Sequence, residues 1–345
     1  MLPPAQLVVM GAGLIGRRHI DHVLDQDCAS LLAVVDPAPS AEALAAQSGA
    51  AWYPSLAALL AVSRPDGVII ATPNQMHVEH GLACIKAGIP VLVEKPIADD
   101  VDAAARLVQT AERLGVALLV GHHRRHNPLM QQARKAIDDG RLGTLVAVHA
   151  ACWFYKPDDY FDVAWRREKG AGPVFINLIH DVDLLRYLCG EVVSVQAMDS
   201  NAQRGHAVED AAAILLRFES GVLGTITVSD TIVSPWSWEF TSGENPAYSH
   251  TPESCYMIGG TRGSLSAPYL DLWHNEAAPS WWAPIVRERL PVAAADPLGL
   301  QVQNFCAVIR GTAEPVVSGR EGLGTLQVIA AVKEAAATGR MVEIV

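Results

Sequence analysis

Gly11, Gly13 and Gly16 stand in the hexapeptide GAGLIG, directly after the apolar run Gln6–Met10 and directly before a stretch that reads as helix. That setting gives the glycines a chemical meaning. Gly11 permits a tight turn, Gly13 lets backbone approach a pyrophosphate, and Gly16 allows close helix–strand packing, with Leu14 and Ile15 inside the turn. The helix start adds free N–H groups and a partial positive charge. Asp36 lies 20 positions after the last glycine, at the end of a second apolar run. Its carboxylate suits the two hydroxyls of an adenosine ribose and repels a 2′-phosphate. No arginine or lysine occurs in the following Pro37-Ala38-Pro39-Ser40 to hold such a phosphate, so the expected cofactor is NAD rather than NADP. Lys95 follows a further apolar run, Pro90–Val93, at the strand end where open α/β sheets bind ligands, and its ammonium can stabilise negative charge on a reacting oxygen.

The elements that must position these residues alternate. Strands are expected at Gln6–Met10, Leu31–Asp36, Asp66–Ala71, Pro90–Val93 and Val116–Val120, with helices at Ser40–Ser48, Met76–Ala87 and Asp99–Leu114. Continuous apolar strands separated by helices demand a parallel sheet covered on both faces. After residue 127 the pattern changes. Helices are expected at Pro128–Asp139 and Gly172–Cys189. Strands are expected at Thr144–Phe154, Val192–Met198, Ala211–Phe218, Val222–Ser229 and Trp238–Thr241, with closing helices at Leu298–Ile309 and Leu323–Ala337. The fold class is α/β: a doubly wound Rossmann domain over residues 1–127 and an α+β domain with a largely antiparallel open sheet over 128–345, the helix near 323–337 returning to the first domain.

Composition narrows the partners. A chain of 345 residues has room for two domains and a large core. The net charge of −11 argues against nucleic acid and anionic membrane as general partners. No apolar stretch is long enough to span a bilayer, and the opening MLPPAQLVVM lacks the charged start of a signal peptide. The six scattered cysteines form no Cys-x-x-Cys pair and read as reduced thiols of a cytoplasmic protein. His122 and His126 have metal-like spacing, but Arg124 and Arg125 between them repel a cation, so no metal site is expected.

Several segments together resemble the glucose–fructose oxidoreductase / inositol dehydrogenase / MocA (Gfo/Idh/MocA) family. They are VVMGAGLIGRRHI, the strand end Ala71-Thr72-Pro73-Asn74 with His77, PVLVEKP, Gly121–Pro128, Trp165-Arg166, Gly170–Leu188, and Gly260–Leu265. The resemblance covers essentially the whole chain. It implies hydride exchange between a nicotinamide and a sugar, a polyol such as an inositol, or a related alcohol. It also implies homodimers or homotetramers made through the open sheet. For the cofactor it implies Thr72, Pro73, Asn74, His77, Glu94, Lys95 and Arg124 beside the glycine loop and Asp36.

Oxidising a secondary alcohol requires hydride loss from carbon and proton loss from oxygen. The nicotinamide takes the hydride, and the protein must supply a base and a group that stabilises the alkoxide. The resemblance assigns the second role to Lys95, with a cis bond to Pro96, and proton transfer to His180. One continuous helix would set Asn177, His180, Leu184 and Tyr187 on one face. Tyr155, Trp165, Arg166 and His123 complete the expected substrate contacts. One position departs from the pattern. Many family members carry aspartate four residues before the histidine, and Ile176 stands there. That favours a Lys/His pair with Asn177 as a hydrogen-bonding aide. It also leaves open a non-catalytic dinucleotide-binding regulator; a separate alternative, which no sequence feature decides, is a reductase of a keto sugar, keto acid or imine.

Overall fold

The computed structural model describes residues 3–168 and 170–344. The chain divides into two compact units, one of Met1–His126 with Ala295–Leu326, the other of Asn127–Ala294 with Gln327–Val345. In chain order the first unit contains β1 (Ala5–Met10), α1 (Leu14–Leu24), β2 (Ala29–Val35), α2 (Ser40–Gln47), β3 (Ala51–Tyr53), α3 (Leu56–Leu60), β4 (Gly67–Ile70), α4 (His77–Lys86), β5 (Val91–Val93), α5 (Val101–Leu114) and β6 (Leu118–Val120). The second contains α6 (Pro128–Asp138), β7 (Leu145–Trp153), α7 (Pro173–Ile176), α8 (Leu178–Cys189), β8 (Val192–Ser200), β9 (Ala211–Phe218), β10 (Leu223–Ser229), α9 (Trp238–Thr241), β11 (Tyr256–Gly260), β12 (Gly263–Ala267), β13 (Asp271–His274) and β14 (Val286–Arg289). Helices α10 (Pro297–Ile309) and α11 (Gly319–Thr338) and strand β15 (Val342–Glu343) close the chain.

The first sheet is parallel throughout, in the order β3-β2-β1-β4-β5-β6. Leu7, Val9, Ile69, Leu92 and Leu119 bury one of its faces against Ile20 and Val23 of α1 and Val302 and Phe305 of α10. Local signals set the element ends. Asp100 caps α5 by accepting from the Ala103 N–H at 2.7 Å, and Gly115 ends it with φ 65°.

The second sheet has nine strands in the order β14-β13-β12-β11-β7-β10-β9-β8-β15, antiparallel except where β7 and β10 run parallel. Its inner face carries Val148, Ile214, Leu216, Ile226 and Ile258 into a core shared with α6, α8 and α11. The outer face is a row set by register: Gln196, Leu215, Thr225, His149, Met257 and Ser266 lie side by side across six strands. No helix among the described residues is long and apolar enough to cross a membrane.

Four sequence expectations need correction. Trp238–Thr241 is a helical turn, held by Thr241 Oγ1 donating to the Ser237 carbonyl at 2.7 Å. The helix expected over Gly172–Cys189 breaks at Asn177, whose φ and ψ are −105° and −53°. Strands β3, β11, β12, β13, β14 and β15 were not expected; each has only two to five residues, too few for a periodic signal. The first unit's closing segment is 295–326, so of the 323–337 stretch only residues 323–326 belong to it. Val328, Ile329, Val332 and Ala335 of α11 pack in the second core instead.

Candidate active site

The glycine loop of the first unit is shaped by backbone contact. Gly11 has φ 95°, and a Cβ there would lie 2.5 Å from the Ala71 carbonyl oxygen. A Cβ on Gly16 would lie 1.9 Å from the Gly11 oxygen. Gly13 is different: a Cβ there meets nothing within 4 Å, so the space beside it is free for a ligand. Helix α1 begins at this point with no side chain capping its first N–H groups, and Leu14 is exposed while Ile15 is half-buried. Asp36 supports the loop directly. Its Oδ2 accepts from the Ala12 N–H and its Oδ1 from the Ala38 N–H, both at 2.8 Å. Each carboxylate oxygen keeps a lone pair for a further donor. A dinucleotide therefore fits these residues: open backbone at Gly13 for phosphate, and a half-buried carboxylate for ribose.

The strand ends beside the loop are tied together by a histidine. His77 is buried, and its ring nitrogens lie 2.8 Å from the Pro96 and Thr72 carbonyl oxygens. This fixes the Thr72-Pro73-Asn74 turn relative to the Lys95–Pro96 segment, whose peptide bond is cis. Thr72 Oγ1 also meets His80 Nδ1 at 3.1 Å, and burial lowers the His80 pKa. Glu94 points inward. Its Oε1 is 2.7 Å from His19 Nε2 of α1, and its Oε2 accepts from the Lys95 N–H at 3.1 Å. Burial alone would raise its pKa. The His19 hydrogen bond and charge, with His123 and Lys95, overcome burial and hold the carboxyl at about 2. Glu94 thus links the Lys95 backbone to α1, and His19 is a residue that sequence reasoning passed over. Lys95 is half-buried at the end of β5. His123–His126 form a single turn after β6, with Arg124 buried and Arg125 paired to Glu321 at 2.7 Å.

In the second unit, His180 lies in the first turn of α8 and is 8% exposed. Because the helix breaks before it, Asn177 does not share a continuous helical face with His180, Leu184 and Tyr187. It sits in the break, and its Oδ1 accepts from Lys156 Nζ at 2.9 Å. Lys156 is buried and lies 3.3 Å from Asp230 Oδ2. Burial pushes the Lys156 ammonium below its ordinary range against the pull of Asp230, and pushes the Asp230 carboxyl up against the pull of Lys156. Arg204 braces both backbones, donating to the Lys156 and Asp230 carbonyls at 2.6 and 3.0 Å. Around them, Lys156 Nζ lies 4.9 Å from the Tyr160 ring centre and Arg166 lies 4.1 Å from it. Arg166 also donates to the Tyr160 carbonyl at 2.7 Å, while Tyr155 and Trp165 are exposed. A cavity of about 380 Å³ is lined by Tyr155, Phe161, Arg167, Arg204, His206 and Thr231 among others, and Lys156, Asn177, His180 and Asp230 do not line it. Lys156, Arg204 and Asp230 were not singled out from sequence. They meet only in the fold, and no local spacing announces them.

Comparison with protein families matches residues 5–122 to an oxidoreductase family with an NAD-binding Rossmann fold, and residues 130–266 to the GFO/IDH/MocA C-terminal domain. D-apiose dehydrogenase of Paraburkholderia graminis is 30% identical over 97% of this chain and 88% of its own length. Inositol 2-dehydrogenase of Rhizobium meliloti is 28% identical over 97% of this chain and 98% of its own. Among solved structures, the WlbA dehydrogenase of Bordetella pertussis, in complex with NADH and UDP-GlcNAcA, superposes with a TM-score of 0.81 at 27% identity, covering 99% of both chains.

Proposed function

The chain belongs to the GFO/IDH/MocA family of NAD-binding oxidoreductases, and from that premise we propose that it moves a hydride between NAD and a secondary alcohol or its ketone in a sugar, a polyol or a related small hydroxy compound. The observation that carries this reading is the juxtaposition of open backbone at Gly13, the Asp36 carboxylate and the half-buried Lys95 at one end of a parallel sheet. The names of the relatives, an apiose and an inositol dehydrogenase, support the substrate class. Gly11, Gly13, Leu14, Ile15 and Gly16 cradle the pyrophosphate, and Thr72, Pro73, Asn74 and Arg124 border the dinucleotide. His77 and Glu94 hold the Lys95 segment in place. NAD, when bound, accepts or returns the hydride. Lys95 polarises the reacting oxygen and His180 carries its proton. Asn177, Tyr155, Trp165, Arg166 and His123 orient the substrate.

Lys95 and His180 favour the enzyme, while Ile176, where many members of the family carry aspartate, keeps open a second reading in which dinucleotide is bound without turnover. A screen of polyols and aldoses with NAD separates the two. The first reading expects turnover that falls about 100-fold or more in Lys95→Ala and in His180→Ala. Tight NADH binding with no turnover of any compound would favour the second. Association of copies through the outer face of the second sheet is part of the proposal, supported by the exposed Leu215, Leu223 and Met257 there.

A further inference from the structure

Asn177 lies three residues before His180, and an amide offers two chemically opposite ends. Which end faces outward is usually undetermined, because amide oxygen and nitrogen scatter alike. Here chemistry decides it. Lys156 carries only donors, so the Asn177 atom 2.9 Å from its Nζ must be the oxygen. The amide nitrogen is therefore turned away from Lys156, and it donates to no other described residue.

The lock is itself secured. Lys156 is 9% exposed, and its ammonium has a second partner in Asp230, which is 2% exposed. Arg204 holds the backbone carbonyls of both, and its Nε lies 3.6 Å from Asp230 Oδ1. The Lys156 N–H donates to the Asp230 carbonyl at 2.9 Å, so side chains and backbone fix the same pair. An aspartate near this point would present acceptors. The arrangement observed presents an N–H₂ group backed by a buried cation.

We propose that Lys156 is a positioning residue which fixes the Asn177 amide with its N–H₂ outward, so that substrate is met beside His180 by a hydrogen-bond donor, which favours a carboxylate or carbonyl oxygen over a hydroxyl there. This rests on the reading that His180 faces the substrate, and it deepens that reading by naming the substrate class as sugar or polyol derivatives that carry such an acceptor.

Two measurements on the full chain test it. The lock is read without substrate, by melting Asn177→Leu, Lys156→Met, the double variant, and Lys156→Arg as the conservative replacement. Melting shifts that are clearly less than additive in the double variant, with Lys156→Arg recovering most of the loss, are expected. Additive shifts overturn the lock. Donor polarity is read by calorimetry on NADH-loaded enzyme with D-glucose and D-glucuronate, which differ only in a carboxylate. Wild type is expected to prefer D-glucuronate by about tenfold or more, the worth of one good charge-assisted hydrogen bond. Asn177→Asp is expected to abolish that preference at unchanged NADH affinity. Failure of wild type to distinguish the probes, whether both bind or neither does, overturns the proposal, as does a preference that survives in Asn177→Asp. Loss of NADH binding in wild type would count against the dehydrogenase reading instead, so the two failures are distinguishable.

Discussion

The glycine loop of the first unit is built from backbone, whereas the polar cluster of the second is built from side chains far apart in sequence. In the loop, the critical distances run from glycine positions to carbonyl oxygens, and one carboxylate, Asp36, braces two backbone N–H groups. In the cluster, a lysine, an asparagine, an arginine and an aspartate from four segments hold one another. The backbone site has the shape a dinucleotide needs, and at Gly11 and Gly16 backbone contact leaves no room for a side chain. The side-chain site holds buried charges that depend on one another, so removing one member leaves another without its partner.

If that contrast is right, the largest single cost comes from the cluster. Lys156→Met leaves Asp230 buried without its ammonium and is expected to cost about 3–5 kcal/mol by denaturant unfolding. Adding Asp230→Asn should recover part of the loss; a double variant less stable than the single would break the picture of a mutually dependent pair. Glu94 gives the first unit its own charge dependence. Its carboxyl is held at about 2, below the ordinary 4.5, so the charged form is favoured by folding. That stability is present above the ordinary carboxylate range and is lost as pH falls from there towards 2, about 3 kcal/mol in all. Glu94→Gln should flatten this acid limb, and an unchanged limb would place the stability elsewhere.

The two glycines sharpen the contrast within the loop. Gly16→Ala is expected to cost about 1–3 kcal/mol of stability, because its Cβ meets backbone that must move. Gly13→Ala should leave the free protein's melting temperature unchanged yet weaken NADH, since the space it enters belongs to the ligand. Equal effects of the two on stability would refute that division. Asp36→Ala should weaken NADH by about tenfold or more, as a charge-assisted hydrogen bond is worth about 1.5–3 kcal/mol. The smallest effect on the single chain is expected on the outer sheet face. Met257→Asp should change monomer stability by less than about 0.5 kcal/mol while shifting mass by light scattering towards monomer. An unchanged mass would remove that face from the assembly.

Legibility in the sequence follows the same line. The alternation of β1, β2, β4, β5 and β6 with helices was readable because each strand is a continuous apolar run, and the turn at Gly11–Gly16 with Asp36 after β2 was readable because a strand–turn–helix unit imposes fixed local spacing. The place of Lys95 just after β5 was readable from the apolar run before it. The break at Asn177 was hidden, since an apolar segment around Ile176 and Leu178 reads as uninterrupted helix. The turn at Trp238–Thr241 was hidden because its aromatic residues favour strand, while the Thr241 hydroxyl and the Ser237 carbonyl close a helical turn. Lys156, Arg204 and Asp230 were hidden for the deepest reason: their meaning lies in contacts that only the tertiary fold creates.

The central claim is a dinucleotide site that reads ribose hydroxyls through Asp36. It is tested most directly by thermal-shift titration of nucleotide-stripped protein with NADH and with NADPH. NADH at 100 times its dissociation constant should add about 2.7 kcal/mol of stability, with a much weaker response to NADPH. Preferential stabilisation by NADPH, or none by either on folded protein, would contradict the account.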